Sequence, residues 1–226
     1  MPTKGKSSIE AVLFDWDGTL IDSYDADSAA YLGVFREMSI PWGLDELALH
    51  YAPDGRHIYR AAKLPRARWE EATQVWRKNY DYRRSRLVTG ARRVLAVVAR
   101  RHRLGLVTSG DRDRVHRQLR KFRLTRMFAA RVCAEDTAHK KPHPAPLRLA
   151  LREMSLQASV CVYVGDSPHD LEMARRAGVR AIAIIGRFPT EQGLRAAKPD
   201  ALLESLMELP SALKSLGQRA SREASQ

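Results

Sequence analysis

The chain of 226 residues has only two cysteines, Cys133 and Cys161. Their placement gives neither a disulfide framework nor a metal finger, and Cys161, inside an apolar run, reads as a buried reduced thiol. No stretch is apolar for long enough to span a bilayer, which excludes a membrane protein built on helices. Met1 to Ser8 is polar and basic, unlike a secretory signal, so a cytoplasmic location is the expectation. Internal repeats and low-complexity tracts are absent. Gln218 to Gln226 is short and polar and is expected to fray. Negative charge is in short supply too: 39 Lys and Arg face 26 Asp and Glu, a net charge of +13. Such an excess fits nucleic acid, an anionic substrate or a basic surface. A hydrophobic content of 44% is that of an ordinary globular chain, long enough for one full core and a small second domain.

What is present begins with Phe14-Asp15-Trp16-Asp17-Gly18-Thr19-Leu20. The apolar run Ile9-Glu10-Ala11-Val12-Leu13 before it predicts a buried strand. At a strand end, residues two apart face the same side, which brings Asp15 and Asp17 together. Gly18 allows a sharp turn, and Thr19 can bond back to a carboxylate. Two close carboxylates repel unless a cation or a shared proton relieves them. The pair asks for a divalent metal or for one protonated carboxyl. A bare polar turn is the bland alternative.

Between Ile21 and Ser85 the spacing predicts helices only. Ala30, Val34, Phe35 and Met38 share one face, Leu44 to His50 forms a second helix, and Pro65 starts a longer one through Trp69, Val75, Trp76 and Tyr80. Trp69 and Trp76 read as packing within this insert. Tyr51 to His57 reads as a turn-rich loop. From Leu87 onwards helices and strands alternate. Helices are expected at Ala91–Arg101 (Val94, Leu95, Val97 and Val98 inward), Asp111–Lys121, Pro144–Met154, Pro168–Ala177, Glu191–Ala197 and Leu206–Leu216. Strands are expected at Leu104–Val107, Phe128–Cys133, Val160–Val164 and Ala181–Ile185. Gly178 fits a helix C-cap. Alternation of this kind predicts an α/β fold, a parallel sheet covered on both faces. Right-handed crossovers then bring Asp15-x-Asp17, Thr108-Ser109-Gly110 and Gly165-Asp166 to one sheet edge.

Together with Lys140-Lys141-Pro142-His143-Pro144 and Gly165-Asp166-Ser167-Pro168-His169-Asp170, these pieces resemble, in order and spacing, the four motifs of the haloacid dehalogenase (HAD) superfamily. The resemblance spans about Glu10 to Ile185. It implies a Rossmann-like, doubly wound core over 1–20 and 86–226, with sheet order 3-2-1-4-5, and an α-helical cap of the C1 type over 21–85. Asp17-Gly18-Thr19-Leu20-Ile21-Asp22-Ser23 and Lys141-Pro142-His143-Pro144 look most like the phosphoglycolate phosphatase group.

Carried over to matching positions, the resemblance implies roles. Asp15 is the nucleophile and Asp17 the general acid and base. Mg²⁺ is held by Asp15, the Asp17 carbonyl and Asp166, with Asp170 bound directly or through water. Thr108, Ser109 and Lys141 receive the phosphate. The implied partner is a small phosphorylated metabolite such as phosphoglycolate, handled by a monomer or homodimer. The presence of Asp17 argues against dehalogenation, and Gly55-Arg56 in place of a cap lysine argues against C–P cleavage.

Several positions admit two readings. Lys141, directly before Pro142, is taken as the site lysine and Lys140 as solvent-facing. Arg56 either binds a second anionic group of the substrate or is a surface arginine. Asp22 serves the cap hinge or a helix N-terminus. His139, His143 and His169 border the motifs without metal-site spacing. The clusters Arg112, Arg114, Arg117, Arg120, Lys121, Arg123, Arg126 and Arg92, Arg93, Arg100, Arg101, Arg103 lack interleaved aromatics and read as solvated helix faces, which makes nucleic acid an unlikely partner. The expectation is Mg²⁺-dependent hydrolysis of a small phosphate monoester through an aspartyl-phosphate. The alternatives are β-phosphoglucomutase-like phosphoryl transfer and a non-catalytic basic nucleic-acid-binding protein.

Overall fold

The computed structural model describes residues 9–52 and 54–223. The polar stretch 1–8 and the last three residues, read above as a non-signal start and a frayed end, lie outside the described residues. In chain order the elements are β1 (Ala11–Phe14), β2 (Ile21–Asp22), α1 (Tyr24–Glu37), α2 (Leu44–His50), α3 (Gly55–Ala61), α4 (Trp69–Asn79), β3 (Arg86–Leu87), α5 (Ala91–Val98), β4 (Arg103–Val107), α6 (Arg112–Lys121), β5 (Ala130–Val132), α7 (Ala145–Glu153), β6 (Cys161–Gly165), α8 (Pro168–Ala177), β7 (Arg180–Ile184), α9 (Glu191–Ala196), β8 (Ala201–Leu203) and α10 (Leu209–Glu223).

Six parallel strands form one sheet in the order β5-β4-β1-β6-β7-β8. The first five follow the expected order with β1 central, and β8 adds a sixth. Alternation along β1 and β6 divides the core. Val12, Phe14, Val162 and Val164 face α5, α6 and α10 through Leu95, Leu119 and Leu209. Ala11, Leu13, Cys161 and Tyr163 face α7, α8 and α9 through Leu147, Leu171 and Leu194. Each large apolar side chain fully removed from water contributes roughly 1.5–3 kcal/mol. Both faces of β1 are buried, which is why its sequence is a continuous apolar run rather than an alternating one.

Helices α1 to α4 pack on one another around Tyr31, Val34, Phe35, Ile58 and Ala72, with Trp69 and Trp76 against them. The chain enters and leaves this layer through a two-residue antiparallel ribbon, Ile21 opposite Leu87 and Asp22 opposite Arg86. Two residues hold no period, so β2 and β3 escape a reading of the sequence, and the three-residue β8 is not anticipated either. Other differences are local. Gly55-Arg56 begins α3, with Asp54 accepting from Arg56 N, instead of lying in a loop. Val97 is exposed rather than inward. The strand around Phe128 shrinks to Ala130–Val132, and α10 runs on to Glu223 through the expected frayed end. Gly178 does close α8 in the left-handed conformation. Among the described residues no helix is long and apolar enough to cross a membrane.

Candidate active site

Three strand ends and one loop deliver the site to one edge of the sheet. Asp15 follows β1 directly and stays on the sheet through its N–H, which donates to the Val164 carbonyl at 2.8 Å. Gly18 then turns with φ +75°, and a Cβ there would fall 1.9 Å from Asp166 Oδ2. Only glycine accepts both the backbone conformation and that approach. Thr19 Oγ1 donates to Asp166 Oδ1 at 3.1 Å, as its position predicted. Thr190 Oγ1 donates to the Asp166 carbonyl at 2.6 Å, so the end of β6 is held from the far side too. Thr108, at the end of β4, accepts the Gly110 N–H on its hydroxyl oxygen at 3.0 Å. That arrangement leaves the Thr108 hydroxyl proton available for a ligand.

Lys141 ties the centre together. Its Nζ lies 2.7 Å from Asp15 Oδ1 and 2.7 Å from Asp170 Oδ1. Asp170 is fully buried on the first turn of α8. Its Oδ2 accepts from Ser167 N and Oγ, and its Oδ1 from the Tyr163 hydroxyl. Burial would lower the Lys141 pKa, but the charges of Asp15 and Asp170 outweigh it and hold the ammonium above its ordinary value. Burial pushes the Asp15 carboxyl up to about 7, Lys141 partly offsetting that and Asp170 adding to it. Asp166 is likewise pushed well above the carboxylate range by burial and by Asp15 and Asp170.

Asp17 has a different neighbour. Arg114 Nη1 and Nη2 donate to its two oxygens at 2.9 and 2.7 Å. Burial alone would raise the Asp17 carboxyl; the Arg114 charge and hydrogen bonds prevail and hold it below its ordinary value. Arg114 is itself placed by three contacts. Asp111 caps α6 by accepting the Arg114 backbone N–H, the Tyr80 ring lies 4.9 Å under the guanidinium, and Gln118 Oε1 accepts from Nη1 at 3.2 Å. Gln118 Oε1 also accepts from Trp16 Nε1 at 2.8 Å, joining the residue between the two aspartates to the same network. The reading of Arg114 as part of a solvated helix face is therefore corrected: its side chain is 11% exposed and points into the site. Others in that cluster are engaged as well. Arg112 pairs with Asp136, and Lys121 Nζ donates to carbonyls of Arg83 and Ser85.

Asp15, Asp17, Thr108, Ser109, Lys141 and Asp166 line one cavity of about 440 Å³ between the sheet edge and the helical layer. Asp170 stands behind it. Arg56 reaches the cavity wall, but its guanidinium is held by Asp54 and is 54% exposed. Lys140 is exposed, as expected, at the rim. Asp22 does both things proposed for it: it accepts the Tyr24 N–H at the start of α1 and pairs with Arg187 beside the ribbon. Sequence reasoning missed Arg114 and Asp27. Both carry a helical signal: Arg114 lies three residues past the cap of a helix that follows a site strand, and Asp27 lies four past Ser23 on α1.

The site is short of positive charge. Among the described residues, Asp15, Asp17, Asp27, Asp166 and Asp170 share Lys141 and Arg114 as the cations near the cavity floor, while Arg56, Arg77 and Lys140 stand at its wall and rim. Asp15, Asp166 and Asp170 each bring an oxygen within 4.8 Å of the others. Hard, buried, clustered oxygens of this kind fit Mg²⁺.

Residues 12–184 match the family model of the haloacid dehalogenase-like hydrolases. The pyrophosphatase PpaX of Oceanobacillus iheyensis is 25% identical over 206 residues, which is 89% of this chain and 95% of that protein. The crystal structure of CbbY from Rhodobacter sphaeroides in complex with phosphate is similar with a TM-score of 0.75 and 27% identity, covering 91% of this chain and 99% of that one. A hydrolase from Pseudomonas syringae shares the fold with a TM-score of 0.81 at 20% identity, over 91% and 98% of the two chains.

Proposed function

The chain belongs to the haloacid dehalogenase-like hydrolase family, and we propose that it hydrolyses a small phosphate monoester in two displacements at Asp15. The observation that carries this reading is the contact of Lys141 with Asp15 inside a knot of three buried carboxylates. A carboxylate so placed is a nucleophile whose repulsion from an anionic phosphate is partly cancelled by the adjoining ammonium. The relatives' names, a pyrophosphatase and a phosphate complex, support phosphate as the group handled.

In the first displacement an Asp15 oxygen bonds to phosphorus, the ester P–O bond breaks, and the leaving oxygen takes a proton from Asp17. In the second, water gives a proton to Asp17 and attacks phosphorus. The bond to Asp15 breaks and inorganic phosphate leaves. Thr108 donates its hydroxyl proton to a phosphoryl oxygen, beside Ser109, and Asp170 keeps Lys141 aimed at Asp15. Asp15 and Asp166, with Asp170 close behind, would hold Mg²⁺. Bound there, the ion supplies charge neutralisation and polarises the phosphoryl group. Residues 21–85 act in this reading as a cap that closes over the cavity and excludes bulk water. A substrate enclosed in about 440 Å³ is a metabolite, not a polymer.

Phosphate release from a panel of esters, including phosphoglycolate, sugar phosphates, nucleotides and pyrophosphate, tests the proposal. It is measured with Mg²⁺ and with EDTA, on wild type and Asp15→Asn. Release that requires both Mg²⁺ and Asp15 is expected. Turnover that survives EDTA or Asp15→Asn sinks the mechanism.

A further inference from the structure

Asp27 takes no part in that chemistry, yet it points into the same cavity. It lies on α1, and Trp76 Nε1 donates to its Oδ1 at 3.2 Å. Among the described residues no hydrogen bond engages its Oδ2. The surroundings are aromatic. Of the chain's sixteen Phe, Trp and Tyr residues, six line this cavity: Tyr31, Tyr51, Tyr59, Trp76, Tyr80 and Phe188. Tyr31 and Trp76 have ring centroids 6.2 Å apart at 55°, and Tyr51 stacks on Phe188 at 4.7 Å.

The two arginines that reach into the cavity are already committed and, Lys141 aside, the remaining cations stand at its rim. Arg114 holds both oxygens of Asp17 and covers the Tyr80 ring. Arg56 is bound to Asp54, and Arg77 and Lys140 are exposed at the rim. Burial, then the charge of Asp17, push the Asp27 carboxyl up to about 7, with Arg114 and the Trp76 hydrogen bond offsetting part of the rise. Among the described residues Trp76 is the one hydrogen-bond donor to this carboxyl, and no cation forms an ion pair with it. A leaving group carrying a second carboxylate or phosphate would meet that carboxyl and the negative faces of the rings.

We propose that the cavity takes a phosphate monoester whose alcohol portion carries a positively charged nitrogen, seated on Asp27 between Tyr31, Tyr51 and Trp76. The proposal rests on the reading of Asp15 and Lys141 as the phosphate end of the same cavity. A carboxylate set among aromatic faces is the chemistry that selects an ammonium over a neutral group of equal shape, by about tenfold or more.

Two measurements test it. The first compares kcat/KM for phosphocholine and phosphoethanolamine with 3,3-dimethylbutyl phosphate, ethyl phosphate and phosphoglycolate, on wild type and Asp27→Asn. The cationic esters are expected to exceed their neutral counterparts by about tenfold, and the ratio to fall towards one in Asp27→Asn. A wild-type ratio near one, a preference for phosphoglycolate, or an unchanged ratio in the variant overturns the proposal. The second uses no phosphate: quenching of tryptophan fluorescence by choline and by 3,3-dimethylbutanol. Tighter binding of choline, lost in Asp27→Asn with circular dichroism unchanged, is expected; equal binding or none overturns the proposal. Choline selectivity without hydrolysis of any ester would remove the phosphatase reading and leave the cation site standing. Hydrolysis of neutral esters without choline selectivity does the reverse. Should Asp27→Asn not fold, the two wild-type comparisons decide the matter.

Discussion

Arg114 grips both oxygens of Asp17, at 2.9 and 2.7 Å, from the first turn of the helix that follows β4. The pair has a consequence for catalysis. In the proposed mechanism Asp17 must carry a proton to release the alcohol, and the guanidinium favours the form without one. In this conformation the pair favours the deprotonated Asp17, the form that the proposed second displacement needs to accept a proton from water. The first displacement then requires the contact to loosen as the substrate binds.

Replacing Arg114 separates these roles. In Arg114→Gln the Asp17 carboxyl rises, so the alkaline limb of kcat, where the acid is lost, is expected to move up by about one pH unit. The pH profile of kcat checks this, with Asp17→Asn as the reference that lacks the limb. An unmoved limb would mean that the pair is already broken during turnover. The variant is also expected to lose about 1–2 kcal/mol of stability, because the half-buried Asp17 carboxylate loses its guanidinium partner.

Lys141 bridges Asp15 and Asp170, and in the proposed reaction only Asp15 bonds to phosphorus. Lys141→Met removes the cation that faces both the nucleophile and the incoming phosphate, and kcat is expected to fall by about 10²- to 10³-fold. Asp170→Asn keeps an oxygen for Tyr163 or Ser167 but frees the ammonium to wander, so a smaller loss, about tenfold, is expected. Single-turnover kinetics of both variants give the order. A larger loss in Asp170→Asn would assign Asp170 a role beyond holding the lysine.

Much of this site was legible in the chain because parallel sheets gather strand ends at one edge. Asp15, Asp17, Thr108 and Asp166 each stand at or just after a buried apolar run, and that alone brings them together. Lys141, in a loop, was legible only through the family resemblance. Arg114 was not legible as a site residue, since the periodicity of α6 assigns it to the polar face. Periodicity separates core from non-core; it does not separate solvent from a polar cavity. Asp27 is a different case: it stands seven residues before Val34 on the apolar face of α1, and a lone carboxylate in that stripe is a signal of a polar cavity that periodicity alone does not interpret. The strands β2 and β3 escape for a simpler reason, as two residues hold no period.

The carboxylate knot should make the free protein and the Mg²⁺-bound protein respond oppositely to one substitution. Asp166→Asn relieves repulsion with Asp15 and Asp170, so without divalent ions its melting temperature is expected to exceed that of wild type. Adding Mg²⁺ is expected to raise the wild-type value, by about 2.7 kcal/mol of stability at a concentration a hundred times Kd. The variant, short of one ligand, should show little of that shift. Thermal denaturation with Mg²⁺ or EDTA reads both arms. An equal Mg²⁺ shift in the two proteins would remove Asp166 from the metal site.

Asp27 sets a stability difference whose sign can be worked out. Its carboxyl titrates at about 7 in the folded chain against an ordinary value of 3.8. Between those values the folded state binds more protons than the unfolded one, so the stability it contributes is complete below about pH 4 and is lost as pH rises through 7. Asp27→Asn removes that loss. Thermal denaturation at pH 5 and pH 8 should find the variant gaining on wild type at the higher pH. Asp15 and Asp166 are present in both proteins, so their own titration largely cancels in the comparison. A difference that stays constant, or that favours wild type at pH 8, would mean that Asp27 already has a compensating partner in the folded chain. A difference that grows with pH and vanishes when choline is added would join the two properties: the destabilising carboxyl is the one that the cation occupies.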